Sequence, residues 1–324
     1  MSRRLLQLSL LVGALVLAAA APALADRVIG RGTPAGCTSA AVVAAVRHGG
    51  VIRFDCGPAP VTIHMHATAK LVNTSRRVVI DGGGLVTLSG DRRRRILYLD
   101  TCDRRQIWTT SHCQNQATPR LTVERLGLRD GNSTGQRFDG GGGGAIFDRG
   151  GRLRVVDSTF TGNRCDATGP DLGGGAVRAL SQYRSLPVQV IGSRFERNVC
   201  SNGGALSSIG VSWTVAHSTF TDNRAIGRGA NPARRGTPGG GSGGAIYNDG
   251  DRMSLRIWRS TFAHNHANEG GGAIFFVSND RTGTLSIAGS TLTDNVSDGF
   301  HTAGLPGIFF LGAHRPSIVN SKLR

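Results

Sequence analysis

Ser218-Thr-Phe-Thr-Asp-Asn-Arg224, Gly243-Gly-Ala-Ile-Tyr247, Ser260-Thr-Phe-Ala-His-Asn265 and Gly271-Gly-Ala-Ile-Phe275 follow one another along the chain, two phrases in alternation. The first, Ser-x-Phe-x-x-Asn, returns at Ser158–Asn163, at Ser193–Asn198 and, with Leu292 in place of the ring, at Ser290–Asn295. The second, Gly-Gly-Ala-apolar, returns at Gly143–Ile146, Gly174–Val177 and Gly203–Leu206. Successive copies of the first phrase begin 25 to 42 residues apart. That spacing belongs to stacked repeats, in which each copy completes the core of its neighbour.

Aligning the copies exposes columns. Val155, Val190, Val215, Ile257 and Ile287 share one position, and Leu153, Val188, Trp213, Leu255 and Leu285 share the position two residues earlier. This alternation predicts a short strand with one buried face. Phe160, Phe195, Phe220, Phe262 and Leu292 then form an internal stack, and the asparagine that follows each sits at a turn where its amide can bond along the stack. Leu121, Val123 and Leu128 fit the frame upstream, Ile318 and Leu323 downstream. No amphipathic helix of useful length separates these strands, so consecutive coils must stack in parallel as an all-β solenoid of two or three short strands per repeat. Handedness does not follow from the spacing.

An open coil end needs cover. Thr38 can cap an Ala/Val helix from Ser39 to about Arg47, with Gly49-Gly50 ending it and Val42, Val43 and Val46 on its apolar side. Residues 37–56 therefore read as an N-terminal plug tied to a first strand, Val51 to Phe54. The C-terminal end has no comparable plug, which predicts self-association there or a frayed last coil. Ahead of the repeat, Arg3-Arg4, an apolar run from Leu5 to Leu17 and Ala23-Leu24-Ala25 have the form of a signal peptide over residues 1–25. The solenoid then occupies 26–324, exported to the cell surface or beyond, with no membrane span remaining. Two segments break the rhythm: a polar insertion over 101–119 carrying Trp108, and a Gly/Pro/Arg-rich loop over 225–242.

The six cysteines of an exported chain predict disulfides. Cys165 and Cys200 each lie two residues after a column asparagine, so they occupy one column of neighbouring coils, within bonding distance for stacked strands. Cys37–Cys56 and Cys102–Cys113 follow as local pairs. The net charge of +17 rests almost entirely on arginine, since Lys70 and Lys322 are the only lysines. Such a field concentrates polyanions, acidic polysaccharide among them. The glycine run Gly140–Gly144 lacks the lysine and helix of a phosphate loop, which argues against a nucleotide ligand.

The phrases Gly-Gly-Ala-Ile and Phe-x-x-Asn resemble the repeats of chlamydial polymorphic outer-membrane proteins and of bacterial secreted proteins of the pectin-lyase-like superfamily. Cys56-Gly-Pro-Ala-Pro-Val-Thr-Ile63, Ile80-Asp-Gly-Gly-Gly84 and Thr87-Leu-Ser-Gly90 look like the opening of those secreted chains. The resemblance runs from about residue 37 to 323 and implies a right-handed parallel β-helix of three strands per coil. It carries no catalytic residue over: the active-site phrases of pectate lyases and polygalacturonases are absent, and so is the barrel that follows the chlamydial repeats.

Chemistry must then be sought in outward columns. The positions flanking the column asparagines place Asp222, His264 and Asp294 in a row beside Arg224 and His266. Lyase chemistry needs a base beside a uronate carboxylate and positive charge for the resulting anion. Arg224, His264 or His266 would act on the proton and Asp222 with Asp294 would hold calcium, unless the column is only a solvated turn. A second column, Phe147, Arg178, Tyr247 and Phe275, offers rings for sugar faces and a guanidinium for a carboxylate if it points outward, or core if strand parity shifts after the glycines. His64 and His66 share one strand face without a third ligand. Two functions follow: binding of extracellular acidic polysaccharide, with cleavage by β-elimination, or a non-catalytic adhesin-type surface presented to polyanions.

Overall fold

In the computed structural model, residues 26–136 and 140–324 are described; the expected signal peptide lies outside them. The chain winds as a right-handed parallel β-helix. Among the described residues its strands form four parallel sheets, of ten, nine, eight and four members, and within each the neighbours are successive coils. Val155 pairs in register with Val123 on one side and Val190 on the other. The aligned apolar columns are therefore literal ladders, and they bury together in one continuous core.

A coil runs from the ten-stranded sheet through a corner into the nine-stranded sheet, for example Arg152–Val156 and then Thr159–Thr161. It reaches the eight-stranded sheet after the asparagine turn, as at Val177–Ser181. The later coils add a fourth strand of two residues directly after that turn, at Val199–Cys200, Arg224–Ala225, His266–Ala267 and Val296–Ser297. This corrects the expectation of three strands per coil. The extra strand is a ladder two residues wide, Val199 to Arg224 to His266 to Val296, preceded at Arg164 by an isolated bridge.

The repeated residues are consumed by this architecture. Phe160, Phe195, Phe220 and Phe262 are fully buried and stack with centroids 4.6, 4.8 and 4.5 Å apart. Each asparagine amide donates to the next asparagine's Oδ1, at 2.9 Å for Asn163, Asn198 and Asn223 and 2.8 Å for Asn265. Its second N–H goes to the carbonyl of the core residue one coil back, as Asn223 does to Phe195 at 3.0 Å. A parallel serine ladder escaped the sequence reading: the Ser193 hydroxyl donates to the Ile191 carbonyl and accepts from the Ser158 backbone N–H.

The paired glycines do different jobs. The first, such as Gly243 with φ +72°, turns the chain in a left-handed conformation. The second makes room: a Cβ on Gly244 would sit 1.9 Å from the Gly272 carbonyl oxygen and 2.7 Å from the His266 nitrogen. The helix spans Ser39–His48, with Thr38 accepting from the Ala41 N–H and Gly49 as its C-cap, and buries Val42 and Val46. One difference from expectation is a strand, Asp26–Gly30, that precedes this plug and pairs with Gly50–Asp55. All three disulfides form, with Cα separations of 5.8 Å for Cys37–Cys56, 5.0 Å for Cys102–Cys113 and 4.8 Å for Cys165–Cys200. The Gly/Arg-rich loop is an ordered excursion: Ala230 bridges Gly240, and Arg234 holds Glu269 through two bonds of 2.8 and 2.9 Å.

Candidate functional site

The corner after the nine-stranded sheet carries the first set of candidates. Asp222, His264 and Asp294 all adopt left-handed φ, at +57°, +57° and +53°. Ladder register sets them in consecutive coils, because Thr221, Ala263 and Thr293 pair in series immediately before them. Arg224, His266 and Val296 pair likewise just after the asparagines. The row is therefore real, and it lies open. His264 approaches Asp294 at 4.0 Å with both side chains more than half exposed, and His266 bonds Asp298 at 2.9 Å through Nε2. The Nδ1 of His266 is buried without a partner, which suits the tautomer with its proton on Nε2.

This geometry does not fit calcium. His264 occupies the coil between Asp222 and Asp294, so the two carboxylates are two ladder steps, about 9.6 Å, apart along the backbone. Calcium takes six to eight oxygen ligands, and among the described residues no three His, Cys, Asp or Glu side chains gather around one point. The pairing of Asp222 with Asp294 as metal ligands is corrected on that ground. Asp294 also borders a concavity of about 320 Å³ with Val296, His301 and Arg324, whereas Asp222 and His264 do not line it.

The second candidate column is corrected more sharply. Phe147, Arg178, Tyr247 and Phe275 are all buried. They stand outside the solenoid core, whose ladder runs through Ile146, Val177, Leu206, Ile246 and Ile274. Outward parity thus holds, but excursions from the coils roof the column over. Arg95 lies 4.8 Å above the Phe147 ring. Arg178 donates to the Ser207 hydroxyl and to the Asp171 carbonyl, each at 2.5 Å. Tyr247 stacks on Phe275 at 5.0 Å, Asn231 of the Gly/Arg-rich loop donates to the Tyr247 hydroxyl, and Phe300 meets Phe275 edge-on at 6.4 Å. Burial pushes the Tyr247 hydroxyl well above its ordinary pKa and raises the Asp249 carboxyl beside it. The column is a second, outer layer of packing, with no ring face left for a sugar.

His64 bonds Asp91 at 2.7 Å, so it is half of a surface pair. In the 101–119 insertion, Trp108 is exposed under Arg104, 4.8 Å from its ring. The sequence reading missed the outward face of the ten-stranded sheet. There Arg77, Arg120 and Arg152 stand in register, and Trp258 is 47% exposed. The signal was available in the residues that alternate with the Leu and Val columns, which lie on the other side of each strand by parity.

Comparison with known proteins gives one match. The family model described as the Chlamydia polymorphic membrane protein repeat matches residues 217–249 and 259–277. No curated protein matches, and no solved structure matches. Among the described residues no helix is long and apolar enough to cross a membrane. The chain is a parallel β-helix built from repeats similar to those of Chlamydia polymorphic membrane proteins.

Proposed function

We propose that this chain is a non-catalytic surface protein of adhesin type that presents a long cationic β-helix to an acidic polysaccharide outside the cell. The observation that carries this reading is the fate of the repeat. Its serines, rings and asparagines are buried and hydrogen-bonded or stacked along the coil axis, so the repeated residues build a scaffold. Function is then left to the outward positions that vary from coil to coil, as in other solenoids. The match to a membrane-protein repeat and the charge of +17 support a surface role and an anionic partner.

The open corner of Arg224, His264 and His266 argues against the lyase form of the reading. β-Elimination needs a base held against the substrate and a wall that keeps water away, whereas Arg224 and His264 are exposed and His266 is tied to Asp298. The test uses the purified protein with polygalacturonate, alginate and glycosaminoglycans, read for retention and for the ultraviolet absorbance of unsaturated uronate. Salt-sensitive retention without rising absorbance is expected. A rising signal that Arg224→Ala or His264→Ala abolishes would restore the enzyme, and absence of any retention would remove the polysaccharide.

A further inference from the structure

On the ten-stranded sheet, three outward columns run side by side along the coil axis. In the first, Arg77 pairs in register with Arg120 and Arg120 with Arg152. In the second, Arg154 is followed in register by Gln189, Thr214 and Arg256. In the third, Val156, Ile191, Ala216 and Trp258 follow one another, with Ala288 beyond. Arg77, Arg120, Arg154 and Arg256 are exposed and Arg152 half-buried. None of these five guanidinium groups meets a carboxylate among the described residues. Some arginines elsewhere are answered, Arg125 by Asp81, Arg149 by Asp100 and Arg234 by Glu269. Others, such as Arg224 and Arg228, are not answered among the described residues, but those stand outside any in-register arginine ladder. Asp81 and Glu124 lie four residues further along the strands of Arg77 and Arg120; Asp81 is already held by Arg125, and Glu124 stands in register with Val156, diagonally beside Arg154 without meeting it.

Three like charges one ladder step apart, about 4.8 Å, repel one another and gain nothing from the fold. An anion with charges at the same repeat removes that repulsion. A sugar ring spans roughly one such step, so a linear polymer with one carboxylate per sugar can set successive carboxylates against successive coils. The rest of the face fits the rest of such a polymer. Gln189 and Thr214 offer hydrogen bonds to hydroxyls, and the half-buried Val156 and Ile191 offer an apolar surface to the C–H faces of the rings, Ala216 in the same column being buried. Trp258 is the anchor of that column. About half of its surface is covered, by Arg259 over the ring at 4.7 Å and the His217 edge at 4.8 Å, and a sugar stacks on the part of the ring that these leave exposed.

We infer that the outward face of the ten-stranded sheet is the binding surface, and that a polyuronate lies on it along the helix axis. Its carboxylates meet Arg77, Arg120, Arg152 and Arg154, and a sugar stacks on Trp258 about 14 Å, three ladder steps, from Arg154. This rests on the polysaccharide reading above and assigns it to residues.

The experiment is titration of the whole protein with polygalacturonate at several salt concentrations, alongside its methyl ester and a DNA duplex. Three variants are compared with the parent: Arg77→Ser/Arg120→Ser/Arg152→Ser, Trp258→Ala, and Arg224→Ala/His264→Ala at the open corner. All sit on exposed positions except the half-buried Arg152, and circular dichroism checks each fold. The triple arginine variant is expected to bind at least about tenfold more weakly with a shallower salt dependence. Trp258→Ala should weaken binding severalfold and leave the salt dependence unchanged, the corner variant should bind as the parent does, and the methyl ester should bind poorly. If the parent binds polygalacturonate and both sheet variants bind it equally well, this surface assignment fails while the polysaccharide reading stands. If the parent does not bind it at all, both fail. DNA bound more tightly than polygalacturonate, with the same loss in the arginine variant, would overturn the sugar and keep only the charge.

Discussion

Asn223 illustrates how much one side chain carries here. Its Oδ1 accepts from both the backbone and the side chain of Asn198, at 3.1 and 2.9 Å, and its amide donates to Phe195 and Asn265. All of this is buried. Replacing Asn223 by Ala strands two donors of Asn198 and takes a donor from the Phe195 carbonyl and from Asn265 Oδ1, and each unsatisfied buried group costs about 1–3 kcal/mol. Asn223→Ala should therefore lose roughly 3 kcal/mol or more in a denaturant titration, far beyond a surface Asp222→Ala. A second residue gives the fold a pH dependence. Asp148 is fully buried in the solenoid, with Oδ1 unpartnered and Oδ2 accepting from Gln182. Burial, with a smaller push from the Asp100 carboxylate, holds its carboxyl well above the usual range. The folded protein then keeps a proton that the unfolded chain releases near pH 4. The stability from this group is intact below that pH and is lost as pH climbs toward the raised folded value. Asp148→Asn should melt with the parent at pH 4 and above it at neutral pH, by a few degrees; an equal shift at both would remove this account.

At the scale of elements, the second glycine of each pair sits where two main chains approach closely. Gly244 begins the path into the eight-stranded sheet against the backbone of the next coil, where any Cβ meets a carbonyl oxygen and a peptide nitrogen. Those neighbours are main chain and cannot swing aside. Gly244→Ala should thus destabilise by several kcal/mol, more than Gly236→Ala in the excursion, where a Cβ would touch nothing. Melting temperatures of the two variants give the comparison, with the left-handed φ of Gly236 as its only penalty. The strands, the aromatic stack, the asparagine turn and the cap helix were legible in the sequence, because each repeats or obeys a local rule at fixed spacing. The candidate site was legible only in part. Period-two alternation left Phe147 and Tyr247 either outward or, with a parity shift after the glycines, in the core, and the register places them outside it. Alternation could not show that Arg95, Asn231 and Phe300, far away in sequence, would roof them over. The arginine ladder was hidden for a related reason. Arg77, Arg120 and Arg152 are separated by 43 and 32 residues, and Arg77 and Arg120 lie outside the clear repeats, so only the observed register brings them together.

For the whole molecule, stability must be distributed along an axis. Every sheet neighbour of a coil is the coil before or after it, apart from the disulfide links, the excursions and the cap helix. Free energy in such a stack is a sum of coil terms and nearest-neighbour terms, so a defect at one end should open that end first. The cap helix supplies the defect: Val42 and Val46 are fully buried beneath it, against the strands that start the solenoid. Val46→Asp would put a charge in that seam. In hydrogen exchange read by mass spectrometry, the parent should protect the coils around Phe195–Phe262 most. The variant should lose protection over residues 26–100 while the coils from Ser218 to Asn295 keep theirs, since the Cys165–Cys200 link and several intact coils lie between. A loss spread evenly over all coils would mean that the solenoid unfolds as one cooperative block, and that the repeat sets its shape without dividing its stability.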